Sequence, residues 1–149
     1  MVSAEQIKKL REEMGASMMD CKKALEEAQG DEVRARDLLS KRGAELAEKK
    51  AERQTNSGII ESYIHANQKI GALVALYCET DFVARNENFK ALAHEICLQI
   101  AANGAQTPEE LLNQPYLKNP EKTIKDLISD AVGKLGENIK VGKFVRFEL

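Results

Sequence analysis

The stretch that most constrains the fold is a long apolar strand followed by a short polar turn and an amphipathic helix. Residues Ile70 to Cys78 are apolar at both alternating sets of positions, which is typical of a central strand covered on both faces. Beyond the turn, apolar residues recur with the i, i+3, i+4, i+7 spacing of a helix, predicted over residues 86–103. The connection is therefore tight, and it carries Asp81 beside Phe82.

Two interpretations of this turn are open. Exposed connections often carry functional residues, because the flanking elements fix the direction of their side chains, and Asp81 and Phe82 are candidates for that role. Local physics alone favours the other interpretation, in which Phe82 lies in the core and Asp81 is an anion at the helix N-terminus.

The residues after position 54 predict a small α+β module. Alternating polarity predicts a half-buried strand that is joined to the apolar strand by a hairpin turn at Asn67-Gln68. The module is expected to have a three-stranded, mostly antiparallel sheet with helices on one face. The other predicted elements are strands over 59–65 and 141–147, a short helix after a capping box at 107–110, a loop over 113–120 and a helix over 124–135.

The first part of the chain predicts three short helices, with breaks at Gly15 and at Gly30-Asp31. This pattern resembles the ubiquitin-associated (UBA) domain, although Ala16 stands where ubiquitin-binding members usually have an aromatic residue. The charged segment that follows has little apolar surface and predicts a solvated helical linker. The expected organisation is α+β, with a UBA-like three-helix module (1–43), a helical linker (44–54) and an α+β core (55–149).

Composition excludes several classes of partner. The 149 residues carry a net charge of −2, and no segment has the basic excess that phosphate binding needs, so no direct nucleic-acid contact is expected. No apolar run approaches the roughly 20 residues of a membrane span, and the first residues lack signal-peptide character, which predicts a cytoplasmic location. The chain has an odd number of cysteines, Cys21, Cys78 and Cys97, and their spacing is not that of a disulfide framework. This is typical of intracellular proteins with reduced thiols.

Little in the chain suggests catalysis. His94 and Cys97 could share a helix face with Cys78 nearby, so a zinc site is conceivable, but Cys97 lies on the apolar stripe and free cysteines are usually buried. Cys78 lies within a strand without a predicted base, and no glycine-rich phosphate loop is present. We therefore expect no enzymatic activity, no catalytic residue, no metal site and no cofactor.

The Met18-Met19 pair at the start of the second helix is a candidate contact for a partner helix, because methionine adapts to irregular surfaces. Adjacent helix positions point in different directions, so one methionine could pack inward while the other faces outward. The alternative, in which both are core residues, is equally open.

Several motifs closely resemble bacterial elongation factor Ts, in the order of that family and over most of the chain. Leu10 to Leu25 (LREEMGASMMDCKKAL) is similar to the opening of the family, and Thr80 to Asn86 (TDFVARN) is similar to its signature. Shorter matches lie at Gly30-Asp31, Lys41–Ala44, Tyr63–His65, Gly136–Ile139 and Arg146–Glu148. The resemblance, to a short form with a single core subdomain, implies a guanine-nucleotide exchange factor for elongation factor Tu in translation elongation.

The resemblance also implies roles for individual residues. An exchange element that reaches into the G domain of Tu, near its magnesium and phosphate site, would consist of Thr80, Asp81, Phe82 and Val83. Docking contacts of the helical module with a helix of the same G domain would be Leu10, Met18 and Met19. These implied roles favour the functional interpretation of Asp81 and Phe82.

Two departures from the family pattern qualify the resemblance. Longer members carry a second core subdomain and a helical hairpin, for which residues 104–123 have no room, so those contacts to Tu are missing or come from a second copy of the chain. Gly142-Lys143 stands where paired arginines are frequent.

A non-covalent homodimer is expected, because single-subdomain members pair and the terminal strand leaves an exposed sheet edge. The alternative function is a UBA-type adaptor that binds a partner protein without exchange.

Overall fold

The computed structural model describes residues 1–149 and has the predicted α+β architecture, with a helical module followed by a small sheet and its covering helices. In chain order the elements are α1 (Ala4–Met14), α2 (Met18–Glu27), α3 (Glu32–Lys50), β1 (Ser57–Ile64), β2 (Ile70–Cys78), α4 (Asp81–Ala84), α5 (Glu87–Asn103), α6 (Pro108–Asn113), β3 (Pro115–Tyr116), β4 (Asn119–Thr123), α7 (Ile124–Leu135) and β5 (Lys140–Glu148). None of these helices is both long and apolar enough to cross a membrane.

The breaks between the three N-terminal helices lie where the sequence predicts them. Gly15 ends α1 in the left-handed conformation at φ 67°, which a residue without Cβ adopts without strain. Ser17 and Asp31 cap the next two helices by accepting hydrogen bonds from backbone amides. The three helices enclose a core of seven buried residues, among them Leu10 and Leu25.

Helix α3 runs without interruption from the helical module into the segment predicted as a linker. The expected solvation holds for Ala44 and Glu45, which are exposed, but not for Ala47, which packs against the core of the α+β module. Helix α7 provides the surface against which this half of α3 lies. The division of the chain at 43/44 and 54/55 stays a prediction.

The main sheet has the antiparallel order β1-β2-β5, so β2 is the central strand as predicted. Helix α5 lies across the inner face and starts at the predicted cap, Asn86. The core between sheet and helices contains nineteen buried apolar residues, including Phe89, Leu76 and Ile128. Helix α7 begins at a capping box on Thr123, where the sequence also predicts it.

The prediction that β2 is covered on both faces is wrong. The helices pack on one face only, and the opposite side, which we name the outer sheet face, is open to solvent. It is apolar in all three strands, and Leu73 lies at its centre between Ser62 of β1 and Val145 of β5. The exposed large apolar residues of this face are Ile60, Ile64, Leu73, Tyr77, Val145 and Phe147.

Two local features were not predicted. In β5 the residues Gly142 and Lys143 lie opposite the single residue Ala75, and this bulge explains why the apolar residues of the strand do not alternate. The predicted loop over 113–120 instead forms most of the hairpin β3–β4, whose second strand continues to Thr123. The buried side chain of Gln99 holds that hairpin, because its Nε2 donates to the carbonyl of Pro115 at 3.1 Å.

Candidate functional site

The Thr80–Val83 turn lies where β2 ends and forms the first part of the one-turn helix α4. Thr80 is the N-cap, and its hydroxyl accepts a hydrogen bond from the backbone amide of Val83 at 3.3 Å. Val83 and Ala84 are buried against the sheet and α5, which anchors the turn in the core. The turn is therefore part of the rigid scaffold, although three of its four residues are exposed.

Phe82 is the most exposed aromatic side chain of the protein, with 88% of its surface accessible. Successive residues of a helix point about 100° apart, so burial of Val83 and Ala84 forces Asp81 and Phe82 to the opposite side. The interpretation of Phe82 as a core residue is therefore wrong. An exposed phenyl ring on an anchored turn is available to a partner without rearrangement of the fold.

The carboxylate of Glu137 holds the turn from the loop between α7 and β5. Its Oε1 accepts hydrogen bonds from the backbone amides of Glu79 and Thr80, both at 3.0 Å. Its Oε2 accepts the hydroxyl hydrogen bond of Thr80 at 2.7 Å. Hydrogen bonds to an ionised acceptor are stronger than neutral ones, so three of them fix the start of α4 firmly.

A second set of contacts holds Glu79, the residue before the turn, and the loop that carries Glu137. The backbone amide of Asn138 donates to Glu79 Oε2 at 2.7 Å, and Arg53 lies 3.7 Å from the same carboxylate. The buried side-chain amide of Asn138 donates to the carbonyls of Ala51 and Arg53 at 3.3 and 2.8 Å. Glu137 and Asn138 were not among the residues predicted for the site, although both lie in the Gly136–Ile139 motif that contributes to the family resemblance.

The surroundings of the turn are acidic, with Glu79, Asp81 and Glu137 close together in the structure. The hydroxyl of Ser57, in the first position of β1, donates to the carboxylate of Asp81 and holds it at the surface. Cys78 lies buried beneath the turn, where its thiol donates to the carbonyl of Thr80 at 3.2 Å. Burial raises the pKa of the Cys78 thiol, and the charge of Glu137 raises it further, so it remains protonated and unsuited to nucleophilic chemistry.

The docking residues implied by the resemblance separate into two groups. Met18 and Met19 are 53% and 66% exposed at the start of α2, so neither the one-in, one-out arrangement nor the two-core arrangement is correct. Leu10 is only 2% exposed and lies in the core of the helical module. It therefore offers almost no surface to a partner in this conformation.

The structure provides no set of ligands for the zinc site considered at His94, Cys97 and Cys78. The structure brings no three His, Cys, Asp or Glu side chains together in an arrangement that could hold a metal ion. The Cys97 thiol is buried and donates to the carbonyl of Ala72 at 3.4 Å, and burial raises its pKa to about 11. A thiol in that state is a core residue rather than a ligand.

Comparison with known proteins points to one family. Residues 79–149, which begin at the turn, match the family model described as Elongation factor TS. Curated proteins named elongation factor Ts are similar over nearly the whole chain. The chain is 42% identical to that of Thermoanaerobacter sp. (strain X514), with 99% of this chain and 95% of the relative covered. It is 43% identical to that of Thermodesulfovibrio yellowstonii, with 99% and 96% covered.

These alignments also contain an insertion relative to this chain. The alignment with the Thermoanaerobacter relative runs over 193 positions. Because this chain has 149 residues, 193 positions less 149 leave at least 44 positions of the relative without a counterpart here. Over the aligned region this chain is therefore shorter than that relative.

Proposed function

The chain belongs to the elongation factor Ts family of translation elongation factors, and from this membership we propose that it is a guanine-nucleotide exchange factor for elongation factor Tu. The observation that carries the proposal is the exposed Phe82, held out from an anchored turn in the segment that matches the family model. We place this activity in the cytoplasm, during protein synthesis.

In the proposed mechanism, Phe82 and Asp81 enter the G domain of Tu near the magnesium ion and the phosphates of GDP. Magnesium requires near-ideal octahedral coordination, so displacement of a side chain that supports its ligands weakens nucleotide binding. No bond is made or broken by this chain, and the protein accelerates GDP release without catalysing a chemical reaction. Asp81, the exposed carboxylate of the turn, adds electrostatic repulsion toward the phosphates.

Linkage between the two binding events completes the cycle. If the factor lowers the affinity of Tu for nucleotide by some ratio, nucleotide lowers the affinity of Tu for the factor by the same ratio. The ternary complex is therefore short-lived, and an incoming GTP releases the factor. The equilibrium between nucleotides is unchanged, and only the rate of exchange rises.

The docking half of the proposal rests on Met18 and Met19, which are exposed next to each other at the start of α2. Methionine side chains are flexible and polarisable, and they suit a helix-in-groove contact with a helix of the G domain. The helix that carries them is anchored by Cys21, Ala24 and Leu25, which are buried in the core of the helical module.

We further propose that the protein is a homodimer in which a second copy covers the outer sheet face. Large exposed apolar surfaces on soluble proteins usually mark interfaces, and sheets readily pack face to face. The face extends over all three strands from Ile60 and Ile64 to Phe147, a wider apolar surface than the exposed edge of β5 on which the sequence-based expectation depends. No cysteine lies on it, so the pairing is non-covalent.

The dimer is tested by light scattering of the whole chain at tens of micromolar, with Leu73→Glu as the perturbing variant. A charge at the centre of the face should convert a dimer mass into a monomer mass. The control is Lys125→Glu, which introduces the same residue at an exposed position of α7, on the opposite side of the sheet, and should leave the dimer intact. A monomer mass for the unaltered protein would refute the dimer.

The exchange activity is tested with elongation factor Tu loaded with fluorescent GDP, chased with excess unlabelled GDP, with and without this chain. Acceleration of release that depends on the concentration of the chain supports the proposal. Binding to Tu without acceleration would instead favour the adaptor function. Release at the intrinsic rate together with no binding would refute both.

A further inference from the structure

One helix is shared by the two parts of the chain that the proposed function uses. Helix α3 has 19 residues and is therefore about 28 Å long. Its first half contributes Ala35 and Leu39 to the core of the helical module, and its second half contributes Ala47 to the surface of the other core. The helix is continuous between the two halves, with no proline and no loop.

Backbone contact fixes this helix against α7. A Cβ atom placed on Gly43 would lie 3.3 Å from the carbonyl oxygen of Ser129, and a Cβ placed on Gly133 would lie 3.1 Å from the Cα of Gly43. Both distances are shorter than ordinary van der Waals contact, so the helices approach as closely as their backbones allow. A Cβ at either position would require the facing backbone to move by a few tenths of an ångström, and a larger side chain would require the helices to separate, because closely packed interiors have little spare volume.

The end of the same helix is tied to the loop that holds the Thr80–Val83 turn. The Lys50 ammonium donates to the carbonyl of Gly136 at 2.6 Å, and Asn138 binds the carbonyls of Ala51 and Arg53. Glu137, between them, accepts the hydrogen bonds from Glu79 and Thr80. A continuous series of contacts thus joins the helix that carries the docking module to the turn that carries Phe82.

We infer that these contacts form a rigid joint that holds the docking methionines and the Thr80–Val83 turn at a fixed spacing, so that both engage one partner molecule at once. The joint consists of Gly43, Lys50, Gly133 and the two loop residues that bind the end of α3, Gly136 and Asn138. Its members are positioning residues, since they act through the elements they connect. The rigid geometry follows from the contacts alone, whereas its effect on exchange rests on the proposed function.

A fixed spacing gives the second contact a high effective concentration once the first has formed, and this advantage is lost when the connection becomes loose. The perturbing variant is Gly43→Leu, which separates α3 from α7, and the control is Glu45→Leu, which adds the same side chain at an exposed position about 200° around the helix from Gly43. In the GDP-release assay we expect Gly43→Leu to raise the half-saturating concentration about tenfold or more, with the maximal rate changed less than about threefold. Glu45→Leu should match the unaltered protein.

The geometry is measured separately, without the partner. Spin labels on Lys23→Cys in α2 and Asn88→Cys in α5 replace two exposed residues, while the three native cysteines are buried. Double electron–electron resonance in a large excess of unlabelled chain should give one narrow distance for the unaltered protein and a broad distribution for Gly43→Leu. If that variant fails to fold, Gly133→Ala replaces it, since it crowds the same contact while alanine is favoured in helices.

Each outcome decides one question. A narrow, unchanged distance in a folded joint variant, or an unchanged half-saturating concentration, would overturn the inference. A loss of maximal rate alone would also overturn it, because that loss indicates damage to the turn itself. If the unaltered protein does not accelerate GDP release, the proposed function fails, but the distance measurement still decides whether the joint is rigid.

Discussion

Truncation of Phe82 tests the proposed mechanism most directly. Phe82→Ala removes a phenyl ring that is 88% exposed and makes few contacts within its own chain. A phenylalanine side chain that becomes buried in a partner contributes about 1.5–3 kcal/mol. If this free energy is gained mainly in the state from which GDP leaves, the exchange rate falls by about 10- to 100-fold, at 1.4 kcal/mol per decade.

The free energy of unfolding separates a surface role from a core role. Phe82→Ala should change it by less than about 0.5 kcal/mol, because surface substitutions of this kind cost little. Phe89→Ala, seven residues later, is the matched control, since the same ring is removed from a position that is 0% exposed. That variant should lose about 3–5 kcal/mol of stability.

The assay is stopped-flow release of fluorescent GDP from elongation factor Tu at saturating concentrations of each variant, with urea denaturation of the same preparations. The expected result is slow exchange with unchanged stability for Phe82→Ala. Exchange at the unaltered rate, with Tu fully bound, would refute the assignment of Phe82 to the exchange element. A large stability loss in Phe82→Ala would contradict the structure itself.

Three further predictions concern the support of the turn, the docking surface and the core. Glu137→Gln keeps a neutral oxygen for the backbone amides of Glu79 and Thr80, but its NH2 group cannot accept the hydrogen bond from the Thr80 hydroxyl. The change should cost about 1 kcal/mol and slow GDP release several-fold at saturation while titration shows unchanged affinity for Tu. The double change of Met18 and Met19 to alanine should instead weaken binding about 10- to 100-fold, measured by calorimetry, with little change in the rate at saturation. The raised pKa of Cys97, about 11 against 9.0 for an ordinary thiol, makes its contribution to stability complete below about pH 9. That contribution, about 2–3 kcal/mol, is lost as the pH rises from 9 through 11. Over this pH range the urea midpoint of the unaltered protein should therefore fall more than that of Cys97→Ala.

Local chemistry explains which parts of the fold were predictable from sequence. Asn86 and Gly104, at the two ends of α5, act through hydrogen bonds and backbone conformation within a few residues, so their meaning is contained in the neighbouring sequence. The hairpin β3–β4 was missed because its strands are very short and Gln99, sixteen residues before Pro115, holds it in place. Sequence patterns carry little information about a contact of that kind.

The same distinction applies to the candidate site. The position of Phe82 was identified from the strand, the turn and the family motif, but only its buried neighbour Val83 shows in which direction the ring points. Glu137 lies 57 residues beyond Thr80 and acts through three hydrogen bonds across the fold. Its identity as the residue that holds the turn emerges only when the two segments are placed side by side.

The outer sheet face shows how a wrong prediction can still contain correct physics. The strand β2 is apolar on both sides because both sides are suited to burial, yet the helices of one chain cover only the side that bears Val74 and Leu76. The other side, with Leu73 and Tyr77, remains bare in the single chain. The pattern therefore predicts burial but does not specify which molecule provides it. In the proposed dimer, a second copy of the chain buries this face. A monomer in solution would leave an apolar surface on all three strands without an explanation in the fold.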